Sequence, residues 1–133
     1  MPKRKVPQPS DGELEILQVL WEEGPSTVRQ VQEVLCRRRE VGYTTALKLM
    51  QIMTEKGLVL RDESQRSHIY HSRFSREHTQ QQLVGNLMSK AFGGSAEMLV
   101  MQALSAKKVS REELAEIRKL LNELEGSAGA RKK

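Results

Sequence analysis

The spacing of apolar residues changes period twice along this 133-residue chain, and that double change restricts the fold more than any single residue does. From Ser10 to Lys56 apolar positions recur every three or four residues, the period of amphipathic helices. The period is then lost over Leu58-Val59-Leu60 and Ser67-His68-Ile69-Tyr70-His71, two strand-like runs around the polar turn Asp62-Glu63-Ser64-Gln65. This is the pattern of a β-hairpin. It has no Asn-Gly or Asp-Gly, so a longer, looser loop is expected rather than a two-residue turn. From Ser75 the helical period returns and persists to Leu124.

Breaks and caps divide the helical stretches. Ser10 with Glu13 forms a capping box for a first helix carrying Leu14, Leu17, Leu20 and Trp21, ended by Gly24-Pro25. Ser26 or Thr27 caps a second helix, with Val28, Val31 and Leu35 inward and Arg29, Gln30, Gln32 and Glu33 toward water. Gly42 breaks the chain before a third helix, which starts near Tyr43-Thr44 and ends at Gly57. Ala46, Leu49, Met50 and Met53 mark its inner face. Beyond the hairpin, Gly93-Gly94 and the cap residues Ser95 and Ser110 separate three more short helices, Ser110 pairing with Glu113 in a second capping box.

The expected fold is mainly α: an N-terminal winged helix-turn-helix over residues 10–74, three helices plus a β-hairpin wing, followed by a helical dimerisation region over residues 75–125. Residues 1–9 read as a disordered basic arm and residues 126–133 as a disordered tail. Aromatics are only 4% of the chain, so aliphatic residues and the six Met must fill the core, Met as gap-filler.

Several function classes are disfavoured. No P-loop, dinucleotide fingerprint or Gly-x-Ser-x-Gly elbow is present, so no enzyme, catalytic residue or cofactor is expected. The single Cys36 allows no intrachain disulfide or thiolate zinc cluster, and reads as a small buried residue. His68 and His71 would face opposite sides of a strand, a poor arrangement for a shared metal, so no metal site is expected. No apolar run approaches the length of a membrane span, and the N-terminus lacks the apolar segment of a signal peptide; a cytoplasmic protein without membrane insertion is expected.

A formal charge of +5 suits a polyanionic partner. The outer face of the third helix presents Thr44, Thr45, Lys48, Gln51 and Glu55; the first four are able to bond phosphates or base edges in a major groove, and Tyr43 can bond phosphate. Arg61 and Arg66 flank the hairpin loop and could lie on backbone or minor groove. Arg37, Arg38 and Arg39 precede the reading helix and could grip flanking phosphates. Each of these also fits a plain solvated surface. A winged-helix adaptor that binds protein rather than DNA is the other reading; it should expose apolar residues on the third helix.

The set Glu13-Leu14-Glu15-Ile16-Leu17 with Trp21, Thr27-Val28-Arg29-Gln30-Val31, Gly42-Tyr43-Thr44-Thr45-Ala46, Lys56-Gly57-Leu58-Val59 and Arg66…Tyr70 resembles the penicillinase-repressor (BlaI/MecI) family of transcriptional regulators. The resemblance implies a homodimeric repressor of double-stranded, inverted-repeat operator DNA, with reading contacts at Thr44, Thr45 and Lys48 and a wing contact at Arg66. It also implies release through C-terminal proteolysis triggered by a membrane-bound sensor metalloprotease. Gln102-Ala103 stands where founding members carry the cleaved Asn-Phe bond, and marks the possible cleavage region. Three departures are that Ile52 stands where the family often has an arginine, that Gln102-Ala103 replaces the Asn-Phe bond itself, and that the paired Cys-x-Cys motifs of copper-responsive relatives are absent.

Roughly fifty residues make a marginal core on their own. Leu83, Leu87, Met98, Leu99, Met101, Leu104, Leu114, Ile117, Leu120, Leu121 and Leu124 are therefore expected in a core shared by two copies. The alternative is that these helices fold back on their own winged helix.

Overall fold

The computed structural model describes residues 7–131, with side chains as far as Ser127. The expected arm falls partly outside: residues 1–6, with Lys3-Arg4-Lys5, are not among those described. Pro7 to Ser10 have no regular secondary structure, yet Pro9 is buried and the Gln8 side chain accepts a hydrogen bond from the Asn86 amide.

Helix α1 (Asp11–Glu23) opens with the complete capping box. The Ser10 N–H donates to Glu13 Oε1 at 2.9 Å and the Glu13 N–H donates to Ser10 Oγ at 3.3 Å. Helix α2 (Val28–Leu35) repeats the device with Thr27 and Gln30. Each box satisfies backbone donors that a helix start otherwise leaves open. Between α2 and helix α3 (Tyr43–Lys56), Gln32 Nε2 and Cys36 Sγ both donate to the Val41 carbonyl at 3.1 Å, which pins the turn. Cys36 is exposed in this role, not buried as its residue type suggested. Gly57 ends α3 at φ 83°, in the left-handed region that favours glycine. The Leu58 N–H then reaches back to the Met53 carbonyl at 2.9 Å and turns the chain into the hairpin.

Strands β1 (Val59–Asp62) and β2 (Ile69–Ser72) pair antiparallel, with Arg61 opposite Tyr70. The loop between them is long, as expected, and begins with the Ser64 N–H donating to Asp62 Oδ1 at 2.9 Å. Ser26 bridges Tyr70 through both backbone groups, at 3.1 and 2.8 Å, so the α1–α2 connection flanks the sheet. The Trp21 indole N–H donates to Ser72 Oγ at 2.9 Å and to the Phe74 carbonyl at 3.1 Å, tying the end of the hairpin to α1.

One core holds these elements together. Ile16, Val31, Ala46, Met50 and Met53 have no exposed surface. Burying a side chain of Ile or Met size stabilises by about 1.5–3 kcal/mol. Met50 and Met53 fill gaps as an aromatic-poor composition requires. Tyr70 is the one aromatic residue among the fully buried side chains described. Glu13, 3% exposed, accepts from Lys56 Nζ at 2.7 Å, so the carboxylate that caps α1 also fixes the end of α3.

After the hairpin come α4 (Arg76–Ala91), α5 (Ala96–Ala106) and α6 (Arg111–Arg131). Chain contacts divide the molecule between Asn86 and Leu87, within α4, so the first part of α4 belongs with the winged helix. The sequence reading ended the last helix before Gly126. Instead α6 continues through Gly126 and Gly129 to Arg131, since each helix-interior glycine costs only about 1 kcal/mol. Lys132-Lys133 lie outside the described residues. The fold is mostly helical with a small hairpin, as expected for a winged helix followed by a helical region.

Candidate nucleic-acid interface

Helix α3 places the candidate reading residues. Its Ala46, Met50 and Met53 face is fully buried, which turns the other side outward. Tyr43, Thr44, Thr45, Lys48 and Gln51 are all exposed there. Thr44 and Thr45 sit in the first turn, where the N-cap Gly42 offers no side-chain bond to the open N–H groups. Those donors and the helix dipole favour an anion.

The wing lies beside the start of α3. A cleft of about 370 Å³ is lined by Val28 and Arg29 of α2, Tyr43 and Leu47 of α3, and Arg66, Ser67, His68 and Tyr70 of the wing. Tyr43 and Arg66 thus meet around one cavity. Arg29, Ser67 and His68 join them although sequence reasoning did not single them out. Arg29 sits with its guanidinium 5.0 Å from the Tyr43 ring centroid. Helical period marked Arg29 only as outward-facing; it carries no information on what stands across the turn.

The remaining candidate cations are not equivalent. Arg61 Nε donates to Glu63 Oε2 at 2.7 Å. The Tyr70 hydroxyl, with Glu63, raises the Arg61 pKa further. Arg39 pairs with Glu15 of α1 at 2.6 Å. That hydrogen bond holds the Glu15 carboxyl below its ordinary range. Arg37 lines a separate groove of about 220 Å³ that also contains Glu23 and Glu33. Arg38 is exposed beside it in the chain. The arginine triplet is therefore not one cationic surface: one member is committed to α1 and another shares its groove with two carboxylates. In the wing loop, the Ser64 backbone N–H is the main cause of a depressed Asp62 pKa.

The candidate dimerisation residues are open. Leu87, Met98, Met101, Leu114, Leu120, Leu121 and Leu124 are exposed, and Leu83, Leu99, Leu104 and Ile117 are half-buried. Gln102 and Ala103 are exposed on α5.

A helix-turn-helix whose second helix turns an uncovered polar face outward, with a hairpin loop at its start, is the arrangement of a winged helix-turn-helix protein. The family's own model matches residues 9–123, and the chain belongs to the penicillinase repressor family. It is similar to the transcriptional regulator BlaI of Mycobacterium tuberculosis, 33% identical over 96% of this chain and 92% of that protein. It is also similar to the penicillinase repressor of Staphylococcus aureus, 19% identical over 86% of this chain and 91% of that one. The methicillin resistance regulatory protein MecI of Mammaliicoccus sciuri is 21% identical over 85% and 92%. The family is one of transcriptional regulators, not of enzymes. Among the described residues no helix is long and apolar enough to cross a membrane.

Proposed function

We propose that the chain is a homodimeric repressor that binds an inverted-repeat operator in double-stranded DNA. The observation that carries this reading is the outer face of α3. It is polar, rich in hydroxyls and uncovered, with Lys48 and Glu55 as its exposed charged groups, while the opposite face is locked into the core. Lys48 and Gln51 read base edges, Thr44 and Thr45 touch phosphate or thymine methyl, and the wing residue Arg66 follows the backbone. A protein-binding adaptor would need apolar residues exposed on that face. Among the described residues of α3 only Tyr43 is an exposed large apolar side chain, at 40%.

The apolar faces of α5 and α6 pair with those of a second copy, and a twofold dimer matches a palindromic operator. Its two reading helices are set about 34 Å apart, or a multiple of that, along the duplex. Release follows cleavage near Gln102-Ala103 by a membrane-bound sensor metalloprotease, which separates the dimerising helices from the DNA-binding unit. Support for that step comes from the family and from the exposure of both residues.

Band-shift titration with duplex from upstream of the protein's own gene tests the reading. Specific binding with a steep salt dependence is expected, because each phosphate contact releases counterions. Equal affinity for scrambled duplex, with no salt dependence, would overturn it.

A further inference from the structure

Arg29 has no task in the reading above, and its surroundings suggest one. It is the second residue of α2, and its guanidinium stacks on Tyr43, the first residue of α3, at cation–π distance. The stacked pair forms one wall of the 370 Å³ cleft; Arg66, Ser67 and His68 of the wing loop form the other. No carboxylate lines this cleft. Among the described residues no carboxylate pairs with Arg29 or Arg66, whereas Arg39 and Arg61 are each held by a glutamate. Two guanidinium groups without a carboxylate partner, the hydroxyl-bearing Tyr43, Ser67 and Tyr70, and an imidazole therefore line one open cavity that contains no counter-charge of its own. Guanidinium groups match phosphate oxygens through paired N–H donors. Val28, Leu47 and Tyr70 supply an apolar lining, which strengthens such a contact by limiting its hydration.

The geometry points to a shared phosphate site: Arg29 from α2 and Arg66 from the wing grip the same backbone phosphodiester of duplex DNA, and Arg29 also holds the Tyr43 ring so that its hydroxyl donates to that phosphate. The site rests on the DNA-binding reading and adds to it a specific clamp. A phosphate held between α2 and the wing loop fixes the depth at which α3 enters the groove, and so places Thr44, Thr45 and Lys48 against base edges. A duplex phosphodiester fits better than a small free anion, because the cleft is open and shares Tyr43 with the outer face of α3.

The test uses the full chain in band-shift titrations over a range of salt, with upstream and scrambled duplexes. Wild type, Arg29→Gln, Arg66→Gln and the double variant are compared. If wild type shows no salt-dependent, upstream-specific binding, the DNA reading itself fails. If it does, the shared site predicts that each single variant weakens binding to both duplexes alike, because phosphate contacts carry no sequence information. The salt slope should fall by about one in the double variant, not two, since both cations neutralise one phosphate. A fall of about two would assign the arginines to separate phosphates and overturn the sharing. Each single variant should keep most of the slope, because the other arginine still neutralises the phosphate; unchanged affinity in Arg29→Gln would remove Arg29 from the interface. Arg29→Lys should recover most of the lost affinity, which a purely structural loss would not allow. Tyr43→Phe keeps the stack and removes the hydroxyl; weaker binding at unchanged slope is expected, and unchanged binding would exclude the hydroxyl.

Discussion

All fourteen buried hydrophobic residues among those described lie between Ile16 and Tyr70, whereas nine of the eleven exposed large hydrophobics lie between Val84 and Leu124. Both regions are built from helices with apolar stripes. The winged helix has a hairpin and a bridging loop that return the chain onto its helices, and Tyr70 and Val59 close its core from that side. Helices α5 and α6 have no such closing element, and none of their described residues is buried. Local amphipathy is thus the same in kind, and what separates the two regions is whether non-local contacts complete the core. An exposed apolar surface of this extent marks an interaction site rather than a finished surface.

The largest expected effect breaks the comparison at its open side. In the dimer reading, replacing Leu120 and Leu124 together by glutamate makes the protein monomeric in analytical ultracentrifugation. Operator affinity then falls by about 10²–10⁴, the avidity lost when the second site is no longer tethered. A wild-type protein that sediments as a monomer at micromolar concentration would remove the basis for this prediction and for the dimer. The second effect belongs to the closed side. Met50→Ala empties part of a fully buried position and should destabilise the winged helix by about 2–5 kcal/mol in urea unfolding. The oligomeric state should not change. Loss of dimerisation in this variant at temperatures where it remains folded would show that the two regions are not independent.

The same contrast explains what could be read in advance. The winged helix was legible because its signals are local: Ser10 with Glu13, the cap residues Ser26 and Thr27, Gly24-Pro25, Gly57, and the change of period at Leu58. The polar face of α3 followed from the position of its buried stripe. Pairings distant in sequence were not legible. Arg39 meets Glu15 across 24 residues and Glu13 meets Lys56 across 43, so neither the loss of Arg39 as a free cation nor the second role of Glu13 shows in spacing. Arg29 was read as facing water because its helix face points outward; only the packing of α2 against the start of α3 sets it on Tyr43. Cys36 was assigned by residue type, and its place at the exposed turn overrode that tendency. The end of α6 was misplaced because Gly126 resembles a C-terminal glycine but sits inside the helix.

A smaller effect sharpens the functional side of the comparison. Lys48 is exposed on α3 and forms no ion pair among the described residues. Lys48→Ala should leave the unfolding curve unchanged and weaken operator binding by about 1–3 kcal/mol. If its loss were confined to the upstream duplex, Lys48 would be a base contact; an equal loss on scrambled duplex would make it a phosphate contact. A loss of stability equal to the loss of binding would place Lys48 in the structure and not in the interface.

The smallest effect concerns Arg39, the candidate cation that turns inward to α1. Its pairing with Glu15 holds the Glu15 carboxyl below its ordinary pKa, chiefly through the hydrogen bond between them. A carboxylate with a depressed folded-state pKa contributes stability above its unfolded value and loses it as pH falls through the folded value. The pair is also largely solvated, and exposed ion pairs contribute little. Arg39→Gln should therefore lower Tm at neutral pH by only about 1–2 °C, with the wild-type and variant curves converging under acid conditions. Raising salt should narrow the gap as well, through screening. Because Arg39 is committed to α1, the same variant should leave the salt slope of DNA binding unchanged. A fall of about one in that slope would show that DNA draws Arg39 away from Glu15, and would return it to the interface beside Arg29 and Arg66.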